Sequence, residues 1–438
     1  MAATRGALPN AAKFWNENMR GGDYTFPTAI ADIIDNAIQA NAELVKVIVD
    51  FDKASIAIID DGDGMSRETF DEAMRVASST HVYEKDDLGK YGTGMKAASL
   101  SQARNLLVAT KTQNSNRYSV QILDLQHITE VNDWDRLIIL GDHDSIPVTF
   151  EPHLPKEHGT AIVWQQLDRM FGGEVVTGES AYAELSKQVE DARQHLGFVF
   201  HRYLAGIVKT GKKVRIEING RAVEPIDPFF LDQGTALAAE ETIKYSNGTV
   251  DLKGYILPSE KEFSSPQAFK AATAPGKGWT ESQGFYVYRN ERLISWGGWL
   301  GVRSRDEKVK LARIAFFFTS DMDKVMSVNL SRTKVAFSSQ MKKDVYAAVR
   351  PVVTEAEKRY RNQHQRTTNA ENLTALIDAT RANATSRRAT QPRRLSNREM
   401  AALMKSHAAA LGLTSQFNAI MDAVREDNPS AAHDMGWD

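Results

Sequence analysis

Residues 26–62 constrain the fold of this chain more than any other segment. Apolar residues recur at helical spacing from Phe26 to about Ala42, and two short apolar runs follow, VKVIVDFD (45–52) and SIAIIDDG (55–62). A spacing of three and four residues predicts a helix with one apolar face, whereas short runs rich in Val and Ile predict strands. The segment therefore predicts a helix that leads directly into a pair of strands joined by a tight connection.

The same kind of pattern continues to about residue 170. A helix capped by Ser66 is predicted to run to about Ala77, and a second helix is predicted from near Gly94. Between them, residues 78–92 are polar and Gly-bearing and predict a mobile loop. Helices and strands in this order predict an α+β sandwich, with helices on one face of a mainly antiparallel sheet. The further strands predicted here are 105–111, 117–123 and 160–167.

A second, smaller α/β domain is predicted after a long helical stretch at 176–207. It alternates strands with a long helix from about Ser339 to Arg361. Its predicted strands are 213–220, 285–295 and 313–318.

The C-terminal part of the chain differs in composition. Residues 361–398 hold eight Arg against two acids, and Ser, Thr, Asn, Gln and Ala dominate the rest, which predicts a linker. Ser396 and Glu399 then have capping-box spacing ahead of an apolar run. The predicted parts of the chain are an N-terminal arm (1–25), a first domain (26–170), a second domain (171–362), an Arg-rich linker (363–398) and a helical tail (399–438).

Composition excludes several classes of protein. The 438 residues include 54 Lys and Arg against 56 Asp and Glu, so the whole chain is not a basic nucleic-acid coat. There is no Cys, which excludes disulfides, Cys-ligated zinc, iron–sulfur clusters and thiol nucleophiles. No apolar run approaches the ~18–20 residues of a membrane span, and the first residues do not resemble a signal peptide. These features predict a cytoplasmic protein.

The first chemistry-bearing motif is ADIIDNAIQANA (31–42). Asp32 and Asn36 lie four residues apart, so a helix places both on one face. A carboxylate can orient a water molecule, and an Asn carbonyl oxygen is a suitable ligand for Mg²⁺. The alternative interpretation is the ordinary polar face of an amphipathic helix.

The second motif, DDGDGMS (60–66), follows a predicted strand. The carboxylate of Asp60 can accept a hydrogen bond from an exocyclic amine such as that of adenine, and Gly62 and Gly64 leave room for a flat ring or allow positive φ. A simple strand-to-helix turn is an alternative. A calcium loop is a second alternative, although the spacing of an EF-hand loop is absent.

Two further motifs are weak when taken alone. In LGKYGTGMKAASLSQA (88–103), Gly89, Gly92 and Gly94 precede a helix with Lys96 in its first turn, which suits a phosphate although the Walker spacing is absent. In HGTAIVW (158–164), Thr160 opens a strand, where its hydroxyl could bond a carboxylate or a base edge.

Together, the four motifs in this order resemble the ATP-binding fold of the GHKL superfamily, which includes the gyrase B subunit, the large heat-shock chaperone, histidine kinases and MutL. The phrases IIDNAIQA, IIDDGDGMS and YGTGMKAAS are most similar to microrchidia (MORC) ATPases. The resemblance covers about residues 25–167 and extends more weakly to about residue 345. It implies a Bergerat-type ATPase domain, a transducer-like second domain, and ATP with Mg²⁺ as cofactors.

The resemblance also implies a role for individual residues. Asp60 would hold the adenine amino group with support from Thr160, Asn36 would bind Mg²⁺, and the Gly89–Gly94 loop with Lys96 would form a lid over the phosphates. The implied nucleotide-binding residues are Asn36, Asp60, Gly62, Gly64, Met65, Gly89, Gly92, Thr93, Gly94, Met95, Lys96 and Thr160.

The catalytic positions depart from the family pattern at one point. The family usually has Glu where this chain has Asp32, and the shorter side chain reaches about 1.5 Å less far, which implies slow turnover. Asp35 is the second-ranked carboxylate. In NLSRTKVAF (329–337), Lys334 resembles a loop lysine that reaches the γ-phosphate from the second domain, with a surface lysine as the alternative. Arg292 resembles a family strand position and is interpreted as structural.

The resemblance implies a slow ATPase that dimerises on ATP binding as a clamp, with the lid and the N-terminal arm forming the dimer surface. DNA is the expected partner, contacted through the Arg-rich segment 381–398, with a solvated linker as the alternative. Because the Cys-ligated zinc module and the coiled coil of eukaryotic relatives are absent, we also expect a compact, bacterial form with a separately encoded partner protein. The alternatives are a chaperone-like module, a sensor kinase, and a nucleotide-gated interaction module with little hydrolysis.

Overall fold

The computed structural model describes most of the chain. The described residues are 10–75, 94–134, 137–141, 153–155, 157–329, 334–386 and 395–437. The fold described below is that of these residues.

The first domain is built on an eight-stranded sheet in the order β5-β4-β3-β6-β2-β1-β7-β8. Neighbouring strands run antiparallel except for β1 and β7, which are parallel. Successive side chains along each of these strands point to opposite faces of the sheet. The strands are β1 (Leu44–Asp50), β2 (Ser55–Asp60), β3 (Ala103–Lys111), β4 (Tyr118–Asp124), β5 (Leu137–Gly141), β6 (Gly159–Leu167), β7 (Arg215–Ile218) and β8 (Arg221–Ala222).

Helices pack on one face of this sheet around a large apolar core. The helix that begins at Phe26 buries Ile30, Ile33 and Ile34 in that core, together with Ile56 and Ile58 of β2. The helices, with residues 14–19 as a π-helix between the first two, are α1 (Ala11–Lys13), α2 (Phe26–Gln39), α3 (Arg67–Met74), α4 (Gly94–Leu100), α5 (Leu125–Val131), α6 (Glu179–Val199), α7 (His201–Ala205), α8 (Pro266–Ala271), α9 (Trp279–Ser282), α10 (Ser339–Ser386), α11 (Asn397–Ala410), α12 (Thr414–Asp427) and α13 (Pro429–Met435).

The described part of the predicted N-terminal arm is packed rather than extended. Ala11, Trp15 and Met19 recur every four residues and are buried in the core of the first domain. Arg20 is also buried and forms an ion pair with Asp168. Residues 1–25 were interpreted as an arm that could hold a short helix, and residues 1–9 of this arm lie outside the described residues.

The second sheet has the order β12-β11-β13-β10-β9. Its strands are β9 (Ala236–Tyr245), β10 (Gly248–Ile256), β11 (Gly284–Arg289), β12 (Arg292–Trp296) and β13 (Ala312–Phe318). The segment predicted as one strand over 285–295 is a hairpin, because Asn290 and Glu291 both adopt positive φ and reverse the chain. The β9–β10 hairpin was not predicted, since β9 is largely exposed and carries no continuous apolar run.

The chain divides into two compact units, Met1–Thr354 and Glu355–Asp438. Both sheets belong to the first unit. The second unit is helical and has its own core, in which Leu376, Met404 and Phe417 are buried. Ser396 caps α11 with the predicted capping box, in which Ser396 N–H donates to Glu399 at 2.8 Å.

The predicted Arg-rich linker (363–398) differs from the structure, because α10 is helical through Ser386. Two features explain the difference. No Gly or Pro interrupts residues 352–391. Leu373, Leu376 and Ile377 have helical spacing and pack into the core of the second unit. The predicted α+β class, with a second sheet domain and C-terminal helices, is confirmed. Among the described residues, no helix is long and apolar enough to cross a membrane.

Candidate functional site

Helix α2 carries the two residues of the first motif. Thr25 and Thr28 form a capping box that fixes the start of the helix, and Pro27 suits its first turn. Asp32 is completely buried, and its Oδ2 accepts a hydrogen bond of 2.8 Å from the hydroxyl of Tyr24. The carboxylate predicted to activate water is therefore held by a tyrosine that the sequence analysis did not single out.

Asp35 does not share the surroundings of Asp32 but faces the second sheet. Its Oδ1 is 2.8 Å from Nε of Arg292 on β12, and both side chains are buried. The pair joins α2 to the second sheet, and the Arg292 guanidinium also lies 5.5 Å from the ring centre of Phe200. This arrangement fits the structural role expected for Arg292, and it engages the carboxylate that ranked second for catalysis.

Asn36 is half-buried on the last turns of α2. Within the described part of the chain its side chain makes no hydrogen bond, which leaves its oxygen available for a ligand. One turn later, the carbonyl of Ala40 accepts a hydrogen bond of 2.8 Å from Asp63 N–H. This contact attaches the end of α2 to the turn that follows β2, so the first two motifs meet at one edge of the sheet.

Asp60 ends β2 opposite Thr160 of β6. Its Oδ1 accepts hydrogen bonds from the backbone N–H groups of Gly62 (3.0 Å) and Thr160 (3.2 Å). Within the described residues, Oδ2 has no hydrogen-bond partner. Burial raises the pKa of Asp60 to about 6, although the two N–H donors act to lower it. One oxygen is thus fixed by the backbone while the other can accept a hydrogen bond from a ligand.

Thr110, Thr160 and His158 surround Asp60 with further polar groups. Thr110 of β3 accepts a hydrogen bond from Met65 N–H (2.9 Å), donates to the carbonyl of Gly159 (3.1 Å), and lies 3.2 Å from the Thr160 hydroxyl. His158 lies 2.7 Å from the carbonyl of Gly62, so its Nδ1 carries the proton. Neither Thr110 nor His158 was predicted from the sequence, although the pairing of β3 with β6 places Thr110 opposite Thr160.

Three glycines near Asp60 lie where another part of the backbone comes too close for a side chain. A Cβ at Gly62 would lie 2.6 Å from the carbonyl oxygen of Ala40. Gly64 has φ +67°, and a side chain there would overlap the carbonyl of Lys111. Gly159 has φ +123°, and its Cβ would overlap the carbonyl of Asp60. Larger residues would push the strand ends apart and fill the space beside Asp60.

The predicted lid lies mostly outside the described residues, including Gly89, Gly92 and Thr93. Gly94 begins α4, with Met95 half-buried behind it. Lys96 is completely buried, and its Nζ donates to the carbonyl of Ala73 at the end of α3. The structure therefore directs Lys96 to the protein backbone, and its predicted contact with phosphate stays a prediction.

Lys334 reaches the first domain from the loop after the second sheet. Its Nζ is 2.8 Å from Oδ2 of Asp23, and both side chains are exposed. The loop is closed by hydrogen bonds between Asn329 and Lys334, one of 2.8 Å from Lys334 N–H to the Asn329 side chain. Because Asp23 precedes Tyr24, the lysine lies next to the segment that holds Asp32.

The oxygen atoms near the candidate site suit a Mg²⁺ ion that is bound mainly by the phosphates of a nucleotide. Among the described residues, no group of three or more His, Cys, Asp or Glu could hold a metal alone. Mg²⁺ usually takes one or two protein oxygens and completes its shell with phosphates and water. Asn36 offers one such oxygen, so the site suits a metal that arrives with the nucleotide.

Residues 24–160 match the model of a family described as histidine kinase-, DNA gyrase B- and HSP90-like ATPase. This segment is similar to GHKL-type ATPase domains. The match supports ATP binding by the GHKL domain, with ATP hydrolysis as its general activity, and it confirms the Bergerat-type fold. No curated protein matches the sequence. One solved structure, of the N-terminal domain of a DNA repair protein, is 14% identical, with a TM-score of 0.44 over 80% of this chain and 99% of that chain.

Proposed function

We propose that this chain is a Mg²⁺-dependent, MORC-like ATPase that turns over slowly and closes on ATP as a dimeric clamp acting on DNA. The observation that carries the proposal is Asp60. Its Oδ1 is fixed by two backbone N–H groups, its Oδ2 is unpartnered within the described residues, and glycines line the space beside it. That arrangement suits the exocyclic amine and flat ring of adenine.

In this proposal, Asp32 orients the attacking water and accepts its proton. Tyr24 holds the carboxylate in place by donating a hydrogen bond to Oδ2. Bound Mg²⁺, held by Asn36, would stabilise the charge on the phosphates. Asp32 is completely buried and is one methylene shorter than Glu, and both features fit slow turnover.

Lys334 would report the presence of the γ-phosphate to the second domain. In the structure, the Nζ of Lys334 forms an ion pair with the carboxylate of Asp23. A γ-phosphate would compete for the same ammonium, and its loss after hydrolysis would return Lys334 to Asp23. The lid at 78–94 and the N-terminal arm (1–25) would build the dimer surface, while DNA and a separately encoded protein are the partners we propose.

A second candidate function is a nucleotide-gated interaction module with little hydrolysis. The observation that favours it is again Asp32, because a carboxylate that is completely buried and hydrogen-bonded to Tyr24 is poorly placed to receive water. Such a module would close on ATP and stay closed.

The test is the mass of the protein in solution, without nucleotide and with Mg²⁺ plus a non-hydrolysable ATP analogue. Wild type runs beside Asp60→Asn and Asp32→Ala. We expect the analogue to double the mass of wild type but not of Asp60→Asn, and ATP itself to keep Asp32→Ala closed. Analogue binding without any change in mass would contradict the clamp. Release of phosphate at the same rate by wild type and Asp32→Ala would favour the second candidate.

A further inference from the structure

The second sheet carries a glycine-rich turn with an unusual backbone. Residues 297–301 follow β12, and Gly297, Gly298, Leu300 and Gly301 all have positive φ. Val302 N–H donates to the carbonyl of Trp299 at 2.8 Å and closes the turn. Trp299 anchors it from below, since its indole N–H donates to Gln283 at 2.9 Å and its side chain is buried. The turn is therefore a fixed platform.

Three cations lie against the three glycines of this turn. A Cβ on Gly297 would be 3.1 Å from Nζ of Lys277, and one on Gly301 would be 2.9 Å from Nζ of Lys342. A Cβ on Gly298 would be 3.5 Å from Nη2 of Arg305. A side chain on Gly301 would displace Lys342, whereas one on Gly297 would first meet the carbonyl oxygen of Glu281 at 2.5 Å, and one on Gly298 would make ordinary contact with Arg305. The three cations therefore lie around one turn.

These charges are only partly neutralised. Arg305 is 3.8 Å from Glu281, a long contact between half-exposed groups. Lys277 donates to the carbonyl of Trp296, and burial together with the charge of Arg305 lowers its pKa. Lys342 has no ion-pair partner within the described residues. A fourth cation, Arg303, lies over the Trp299 ring at 5.1 Å and is 4.0 Å from the carboxylate of Asp306. Like charges held this close favour an anion that bridges them.

We infer that the turn at 297–301, with Lys277, Arg305 and Lys342, binds the phosphodiester backbone of double-stranded DNA. This inference rests on the proposed action on DNA and assigns the contact surface to the second sheet. The alternative of single-stranded nucleic acid is less suited, because such sites stack bases on exposed aromatic rings. Here Trp299 is buried and already covered by Arg303, so the turn offers charge without a stacking surface.

The test compares two double variants of the full-length protein with equal changes in charge. Arg305→Glu/Lys342→Glu reverses the charge of one exposed and one half-buried cation of the turn and leaves Lys277, which is hydrogen-bonded to the protein, intact. Lys46→Glu/Lys187→Glu is the control, since both lysines are exposed, on β1 and α6, without ion-pair partners in the described structure. Affinity for a 30-base-pair DNA duplex is measured over a series of salt concentrations, with the ATP analogue present.

We expect the turn variant to lose at least tenfold in DNA affinity relative to the control, and its salt dependence to fall by about two phosphate contacts. Analogue affinity and melting temperature should match wild type in both variants. Equal losses in the two variants would overturn the inferred surface and leave the proposed action on DNA standing. Tighter binding of single-stranded DNA than of duplex would overturn the duplex as ligand. Failure of wild type to bind DNA in any nucleotide state would refute both the surface and the proposed DNA partner.

Discussion

At the scale of single residues, Asp60 is expected to favour ATP binding while it lowers the stability of the folded protein at neutral pH. Burial raises the pKa of its carboxyl to about 6, above its ordinary value of 3.8, so the folded state binds the proton more tightly than the unfolded state. Stability from this group therefore falls as pH rises from about 4 to about 6, and at pH 7 the ionised carboxylate costs on the order of 1–3 kcal/mol. We expect Asp60→Asn to keep or raise the melting temperature at pH 7 while weakening ATP binding at least about tenfold.

The matched control is the neighbouring carboxylate. Asp61 Oδ1 accepts hydrogen bonds of 2.9 Å from the N–H groups of Glu43 and Leu44 and thereby ties the start of β1 to the end of β2. Asp61→Ala should lower the free energy of unfolding by about 1–2 kcal/mol and leave ATP affinity close to wild type. Calorimetry of unfolding and of nucleotide binding measures both quantities; the opposite pattern in the two variants would show that the adenine contact has been misassigned.

Asp23 is predicted to restrain Lys334. The ion pair with Lys334 lowers the pKa of Asp23, so the carboxylate is charged at neutral pH and competes with phosphate. Asp23→Asn should therefore raise ATP affinity about two- to fivefold, as expected for the loss of one exposed ion pair. Binding titrations of ATP and ADP measure the effect, which should be larger for ATP.

A double-mutant cycle provides the control for this restraint. Lys334→Ala should weaken ATP binding, and Asp23→Asn in that background should have no further effect. A gain in affinity that persists without the lysine would mean that Asp23 repels the nucleotide directly.

At the scale of elements, the turn after β2 depends on Gly64. Gly64→Ala would require φ near +67° in a residue with a side chain and would overlap the carbonyl of Lys111 on β3. Gly276→Ala is the control, because Gly276 has φ +69° but no heavy atom within 4 Å of its Cβ. We expect the control to cost about 1 kcal/mol in urea unfolding and Gly64→Ala to cost at least about 2 kcal/mol more. Equal costs would mean that β3 shifts to make room.

Much of the first domain could be predicted from local pattern. Apolar spacing predicts the helix at Phe26 and the two strands β1 and β2 that follow it. Ser66 caps α3 as predicted, because its hydroxyl accepts a hydrogen bond of 3.2 Å from Thr69 N–H. The proximity of Asp60 and Thr160 was implied only by the resemblance. In the structure it follows from the pairing of β2 with β6.

What could not be predicted depends on contacts between distant parts of the chain. Nothing near Asp35 in the sequence indicates that Arg292 would pair with it, because that contact requires both sheets to be placed. Tyr24 and Asp23 were assigned to a polar arm, since the packing of Trp15 against the core is a tertiary effect. The segment predicted as a linker is helical for the same kind of reason. Leu376 packs in a core with residues that begin about 25 positions later in the sequence.

At the scale of the whole molecule, the two compact units should respond separately to core mutations. Phe417 is buried in the core of the helical unit Glu355–Asp438 and contacts Trp437 edge-on at 5.7 Å. Phe417→Ala should destabilise that unit by about 3–5 kcal/mol and leave ATP affinity unchanged. Leu411→Ala, at an exposed position in the same unit, should change stability by less than about 0.5 kcal/mol.

Denaturant unfolding followed by far-UV circular dichroism tests this separation. Phe417→Ala should move an early transition to lower denaturant and leave the later transition, from unit Met1–Thr354, where it was. One shared transition that shifts as a whole would show that the two units unfold together.

The buried pair of Asp35 and Arg292 has a consequence for thermodynamic linkage. Asp35 lies on the same helix as Asp32 and Asn36, and a buried pair resists separation because either charge left alone is costly. A ligand that displaces α2 must therefore also displace β12, and a ligand on the second sheet that displaces β12 must displace α2. Such coupling is reciprocal: the factor by which nucleotide changes affinity for the second ligand equals the factor by which that ligand changes affinity for nucleotide.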